Sequence, residues 1–147
     1  MPYAEAVIAE SMRMSSIVPT SVFHATMKVV HFHGYDIPKG TTVISNLHFI
    51  HHDKRVWGNP EEFQPERFLS ADGKTFKKHD ALMAFGFGKR QCLGETLARD
   101  SIFLYFTNIF HRYKIRLADE SVDASLEPAN EFVLAPQDFK IVMQERV

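Results

Sequence analysis

Apolar Ala6, Val7 and Met14 fall on one side of the segment Ala4–Met14, with Glu5, Glu10 and Arg13 interspersed and Pro2 ahead of it. That spacing predicts a short helix with proline in its first turn, where a missing N–H costs nothing. Pro19 ends any continuation. Val22–Ala25 and Val29–His33 read as strands, Gly34 turns the chain, and Ile37-Pro38-Lys39-Gly40 fits a type I turn. A strand follows over Thr41–Ser45, β-branched at four of its five positions. Asn46–Asp53 reads as a short helix, and Asn59-Pro60-Glu61-Glu62 carries the cap, proline and glutamate that begin a helical turn. From Gln64 to Ala84 the chain is polar and irregular, with a turn at Asp72-Gly73. Leu93–His111 is the strongest helix, apolar nearly all round in its later half, which predicts burial on several sides. Tyr113–Leu117, Phe132–Ala135 and Phe139–Met143 read as strands, the last two as a hairpin around Pro136–Asp138. There is no repeat and no low-complexity linker.

The bulk composition narrows the picture. At 147 residues, 45% hydrophobic and 24% charged, the chain is globular in class, and its length fits one domain. Seventeen basic residues against eighteen acidic leave a net charge of -1, so no global field draws nucleic acid or anionic membrane. A single cysteine excludes an internal disulfide and any zinc site taking two thiolates from this chain, and suits a reducing compartment. The first residues show no basic and apolar leader pattern, and no stretch approaches the roughly 18 apolar residues of a membrane span.

That cysteine lies in Phe85-Gly86-Phe87-Gly88-Lys89-Arg90-Gln91-Cys92-Leu93-Gly94, a glycine-punctuated basic loop opening onto the long helix. A helix N-terminus and neighbouring Lys or Arg favour the thiolate, the form of cysteine that binds metal, and iron suits so soft a ligand. Gly88 and Gly94 bracket the sulfur and permit left-handed turns and close approach to a flat ligand, with loop amides turned toward the sulfur. A bulky side chain at either is expected to disturb the loop. Arg90 is placed to pair with a carboxylate, and Phe85 to shield the sulfur from water. A buried inert cysteine is the plain alternative. A cysteine hydrolase would need a nearby base, and the loop has no histidine. His31 and His33 alternate on a strand while His48, His51 and His52 gather near one helical face, so a zinc site is conceivable, though without a recognised spacing. Solvated loop histidines are the simpler reading, and Met83 and the phenylalanines of the long helix read as core.

The pattern F-x-x-G-x-R-x-C-x-G, carried by Phe85, Gly88, Arg90, Cys92 and Gly94, resembles the haem-ligand signature of the cytochrome P450 superfamily. The likeness extends from Tyr3-Ala4-Glu5-Ala6-Val7-Ile8 through Glu95-Thr96-Leu97-Ala98-Arg99 to the final strands, and is similar to the carboxy-terminal portion of a eukaryotic microsomal member. It implies an α+β fold: a short N-terminal helix, small β-sheet, irregular meander, cysteine-ligand loop, long apolar helix and C-terminal β-hairpin. Residues 1–147 would be a partial domain, the proximal haem-binding half, without the membrane anchor and the oxygen-activating helix. Cys92 would ligate the iron of haem b (iron protoporphyrin IX), with Phe85, Gly88, Arg90 and Gly94 around it and His24 facing a propionate.

Taken alone, Glu10 and Arg13, three apart on one helical face, are an exposed pair worth a few tenths of a kcal/mol. With Pro65-Glu66-Arg67-Phe68 downstream, they resemble the family's buried Glu-Arg-Arg network, in which Arg67 joins them and the three hold the loop without reacting. Val18, Val22 and Phe23, within Ile17–Phe23, and Val133, within Phe132–Leu134, would line the substrate side. The implied activity is monooxygenation of an apolar small molecule such as a steroid, fatty acid or xenobiotic. Electrons would come from NADPH through NADPH-cytochrome P450 reductase, with cytochrome b5 as an optional second partner. The implied location is the endoplasmic reticulum membrane, reached through the parent's anchor. Lys77, Lys78 and Lys89 would contribute to a basic docking face. The alternatives are a catalytically inactive fragment and a non-haem metal-binding module using histidines.

Overall fold

The computed structural model describes residues 1–119, 125, 127–129 and 133–146. Among the described residues four α-helices and three two-stranded antiparallel sheets make a mixed α+β architecture. Helix α1 spans Pro2–Ser15 and ends at Ser16, whose left-handed backbone (φ 39°) lets its N–H return to the Met12 carbonyl. Its inner face is Ala6, Ile8, Ala9, Glu10, Met12 and Arg13, so two charged residues are buried where the periodicity marked Val7 and Met14 as the apolar side. Small β1 (His24–Ala25) pairs with β4 (Thr42–Val43), and β2 (Val30–Phe32) with β3 (Tyr35–Ile37). These strands are shorter than predicted. The second hairpin uses Tyr35–Ile37, read as turn and linker in the sequence, because His33 and Gly34 both adopt positive φ and reverse the chain tightly. The following turn lies one residue later than expected: Thr41 N–H bonds the Pro38 carbonyl, with Gly40 at φ +84°.

Helix α2 (Leu47–His51) is capped by Asn46, whose side chain accepts the Phe49 N–H, and α3 (Lys54–Trp57) by Asp53, which accepts from Arg55. The periodicity missed α3, a single turn too short to show one. Asn59–Glu62 forms one turn closed by Glu62 N–H on the Asn59 carbonyl, not a helix, since the chain must extend into the meander. A 3-10 turn at Pro65–Phe68, an isolated bridge between Leu69 and Phe76, and a turn at Asp72-Gly73 organise the irregular stretch. The core lies here: Ala6, Ile8, Ala9, Met12, Trp57, Phe68 and Leu82, flanked by Phe76, Phe85, Phe103 and Phe106.

Helix α4 runs Glu95–Arg112, yet none of its residues is fully buried. Phe103 and Phe106 pack on the core, while Leu97 and Tyr105 are 74% and 72% exposed. The expected burial on several sides is therefore not met: within the described residues the helix docks chiefly against α1. The protein exposes 11,339 Å², against about 7,700 Å² for a compact monomer of this size. The tail pairs differently from expectation. Strand β5 (Tyr113–Leu117) takes β6 (Ile141–Glu145) over five registered pairs, Tyr113 opposite Glu145 and Leu117 opposite Ile141. Phe132 lies outside the described residues, and no strand covers 133–140. Pro136 cannot donate to a ladder, whereas Tyr113, Ile115 and Leu117 offer an alternating half-buried edge.

Candidate functional site

Two pieces of geometry meet on one side of the core. The first is a charged cluster. Arg13 forks onto Glu10, Nε to Oε2 at 2.7 Å and Nη2 to Oε1 at 2.8 Å, with both side chains fully buried. The remaining guanidinium donors reach main-chain carbonyls: His51 at 2.7 Å, Pro60 at 2.8 Å and Glu62 at 3.4 Å. The group also lies 5.3 Å over the Trp57 ring. Glu10 Oε1 accepts the Gln64 amide at 2.9 Å. Arg67 completes the set, its Nε 3.4 Å from Glu10 Oε1 and its terminal nitrogens on the Trp57 and Asn59 carbonyls. That Nε makes an ion pair without hydrogen-bond alignment. Burial pushes the Glu10 carboxyl up, but the hydrogen bonds from Arg13 and Gln64 and the charges of Arg13 and Arg67 outweigh it and hold it below its ordinary value. The structure thus brings Glu10, Arg13 and Arg67 together, each guanidinium tying down carbonyls of a stretch that has no sheet or long helix of its own.

His51, which the sequence placed among solvated or metal-binding histidines, is fully buried against this cluster. Its Nε2 accepts the Met83 amide at 3.0 Å, so the ring proton sits on Nδ1, which donates to Ser16 Oγ at 2.9 Å. Ser16 Oγ in turn donates to the Arg13 carbonyl. Burial, then the nearby charges of His52, Arg13 and His48, lowers the His51 pKa to about 4, so the ring is neutral at physiological pH. The usable signal was its spacing from Leu47: the two are the buried residues of α2. Among the described residues no three metal-ligating side chains converge. His48 and His52 stack on each other at 4.1 Å, and His31 pairs with Asp36.

The second piece is the cysteine loop. Met83 accepts the Gly86 N–H, Phe85 accepts the Cys92 N–H at 2.9 Å, and a 3-10 turn at Gly88–Arg90 closes Gln91 N–H onto Gly88. The Gln91 and Cys92 amides therefore close the loop. Gly86 and Gly88 adopt φ of +75° and +69°, which side-chain-bearing residues rarely take. Gly94 does not: its φ is -87°, and an added Cβ would sit 3.9 Å from Cys92 Sγ, an ordinary contact. The expected need for glycine at both brackets holds on backbone grounds at Gly88 alone. Cys92 is exposed, two residues ahead of the Gly94 cap of α4, so it is not the buried inert thiol. Phe85 lies half-buried beneath the loop, with the Arg99 guanidinium 5.2 Å from its ring centroid. Arg99 is itself paired with Glu95 at 2.7 Å.

The other anticipated residues lie on several separate segments. Arg90 is exposed, and no ion pair to it occurs among the described residues. His24 is half-buried in β1 opposite Val43. Val18 is half-buried, while Val22, Phe23 and Val133 are exposed. Leu134 N–H bonds the Ile17 carbonyl at 2.8 Å, joining the two segments assigned to the substrate side. Lys77, Lys78 and Lys89 are exposed, Lys78 lying 3.9 Å from Glu95.

An α+β chain that combines a buried Arg-carboxylate cluster with a glycine loop presenting one cysteine is the class of protein this site defines. A sequence profile described as Cytochrome P450 matches residues 1–143. Cytochrome P450 18a1 of Drosophila melanogaster is 38% identical over 146 residues, 99% of this chain and 27% of the relative. Human cytochrome P450 2U1 shows the same identity and coverage, and mouse cytochrome P450 2D26 is 47% identical over 119 residues, 81% of this chain and 24% of the relative. The chain belongs to the cytochrome P450 family, whose members are haem-iron monooxygenases. It spans 24–27% of the length of these three curated relatives. No helix among the described residues is long and apolar enough to cross a membrane.

Proposed function

We propose that residues 1–147 form the proximal part of a larger haem domain, in which Cys92 would hold the iron of haem b through its sulfur. The carrying observation is an exposed cysteine on a loop whose shape is set by two positive-φ glycines and closed by its own amides. The surroundings fit a flat apolar macrocycle. Phe87, Leu93 and Leu97, which flank Cys92 in the sequence, are exposed, Leu93 entirely so, and exposed apolar side chains grouped in this way call for a cover. The donor fits too: a lone thiolate suits iron, and no competing ligand cluster exists among the described residues. When bound, a thiolate-ligated haem supplies activation of O2 for insertion of one oxygen atom into an apolar substrate.

The chain's own residues have other tasks. Phe85 limits water at the sulfur from below. Arg90 and His24 are assigned to the propionates, and among the described residues no ion pair engages the exposed Arg90 guanidinium. Val18, Val22, Phe23 and Val133 are assigned to the substrate side, supported by the Leu134–Ile17 bond that draws their segments together. Electrons come from NADPH through NADPH-cytochrome P450 reductase, with cytochrome b5 as an optional partner. The exposed Lys77, Lys78 and Lys89 contribute to the docking face, at the endoplasmic reticulum membrane. The test is the ferrous-CO difference spectrum of the haem-loaded protein. A red-shifted thiolate band lost in Cys92→Ala supports the assignment; the same band surviving in Cys92→Ala sinks it.

A further inference from the structure

The link between the charged cluster and the cysteine loop is His51. It is fully buried, and its carbonyl and two ring nitrogens reach two separate segments, the C-terminal end of α1 and the stretch at Met83. Its carbonyl takes Arg13 of α1, its Nδ1–H takes Ser16 just past α1, and its Nε2 takes the Met83 amide. Met83 is where the loop leaves the core. Its carbonyl holds the Gly86 amide at 2.8 Å, and the next stretch, Phe85, holds the Cys92 amide at 2.9 Å. A run of hydrogen bonds therefore passes from Arg13 through His51 and Met83 to the turn that sets Cys92.

We propose that His51 is a positioning residue for the cysteine loop: as the Nδ1–H tautomer it holds the Met83 amide and so fixes where the loop bearing Cys92 emerges. The role depends on neutrality. A doubly protonated ring has no acceptor, and it would face the Met83 N–H with a second N–H. The titratable and charged groups around it are Arg13 and Glu10 from α1, His48 and His52 from α2, and Glu61 and Glu62 of the following turn. The segment bringing Met83 carries His79 and Asp80, with His79 Nδ1 engaged by the Ala81 amide. Arg13 is the only one of these hydrogen-bonded to His51, through its carbonyl, and its positive charge opposes protonation.

Loop geometry can be tested without haem, which separates this inference from the Cys92 ligand assignment on which its functional consequence rests. Amide hydrogen exchange of the whole chain is followed residue by residue in wild type, His51→Leu and His51→Gln, corrected for intrinsic rates. Glutamine places an oxygen acceptor near Nε2 but does not titrate. In His51→Leu, exchange at Met83, Gly86 and Cys92 is expected to rise about ten-fold or more, in line with loss of a buried acceptor, with α4 amides little changed. His51→Gln should restore near-wild-type protection. On acidification toward pH 4 the wild-type loop should lose protection while the glutamine variant keeps it. Equal loss across all helices in His51→Leu, or unchanged Gly86 and Cys92 exchange, would overturn the proposal. Should His51→Leu not fold, the comparison of wild type with His51→Gln across pH decides: parallel profiles refute it. Cys92→Ala should leave Met83 and Gly86 exchange unaltered, so a failed thiolate spectrum and a failed positioning role are read separately.

Discussion

Arg13→Met probes the charged cluster most directly. The substitution keeps an unbranched side chain of similar reach and removes a guanidinium that serves Glu10, His51, Pro60 and Glu62. Glu10 would be left fully buried, with the Gln64 amide and an imperfectly aligned Arg67 Nε as its partners. Stranding one member of a buried ion pair costs about 3–5 kcal/mol. Each orphaned carbonyl adds about 1–3 kcal/mol before water and relaxation recover part of it. The terms overlap, so a net loss of about 5 kcal/mol is expected, comparable with the whole stability of many domains. Glu10→Gln is expected to cost about 3–5 kcal/mol, because it leaves the buried Arg13 charge without its counter-charge and sets an amide NH2 against one of the guanidinium donors. Trp57 reports the unfolding: it is the only tryptophan, 3% exposed, with Arg13 stacked over it. With a urea slope of about 2 kcal/mol/M, Arg13→Met should lower the midpoint by about 2–3 M. The double variant Glu10→Gln/Arg13→Met should be more stable than the sum of the two losses by at least about 1.5 kcal/mol. A midpoint shift below about 0.5 M in Arg13→Met, or strict additivity, would show that the pair does not hold the meander.

Acid should weaken the fold through His51. Its folded pKa of about 4 lies below the ordinary 6.5, so between these values the unfolded chain binds more protons and stability falls as pH drops, by at most about 3 kcal/mol. Urea midpoints at pH 7 and pH 4.5 measure this, and His51→Gln should reduce the difference. Gly88→Ala should destabilise the loop by about 1–2 kcal/mol through its positive φ alone, since nothing lies within 4 Å of the added carbon. Gly94→Ala, at φ -87°, should cost the loop backbone no comparable strain. The 147-residue chain supplied with haem and reductase is expected to give no coupled NADPH-dependent turnover, because among the described residues the face around Cys92 is open and positioning of substrate is worth about 7–11 kcal/mol. Hydroxylation at the rate of a full-length relative, lost in Cys92→Ala, would refute that.

What the sequence revealed was local. The cysteine loop was legible because its shape depends on residues within ten positions: Gly86 and Gly88 carry the positive φ, and Cys92 closes back on Phe85. Helix α1, the short helix following Asn46 and strand β5 were legible for the same reason. The Glu10–Arg13 spacing alone gave an exposed pair, and only the likeness to a family suggested burial with Arg67. His51 was misread, because its burial depends on Arg13, 38 positions away, and Met83, 32 positions away. The tail was mispaired for a like reason: β6 finds β5 across the chain, and period-two patterning says which residues form strands but not which strands meet. Helix α4 read as buried since its composition is apolar, but composition does not say what lies alongside it.

The long-range features that escaped the sequence are the ones that locate the cysteine. The segment from Leu47 to Ala84 has two short helices and a 3-10 turn but no ladder to satisfy its carbonyls. Buried carbonyls there need donors, and an apolar side chain has none. Arg13 and Arg67 point donors at His51, Pro60, Glu62, Trp57 and Asn59 at once, and Glu10 neutralises the charge that brings them inside. A well-packed apolar trio of equal volume would save the desolvation cost, yet would leave those five carbonyls without their partners and the meander without a fixed path. Because His51 sits on that path and holds Met83, the charge cluster bears on the exit of the loop, and with it on the place of a cysteine that no regular element carries.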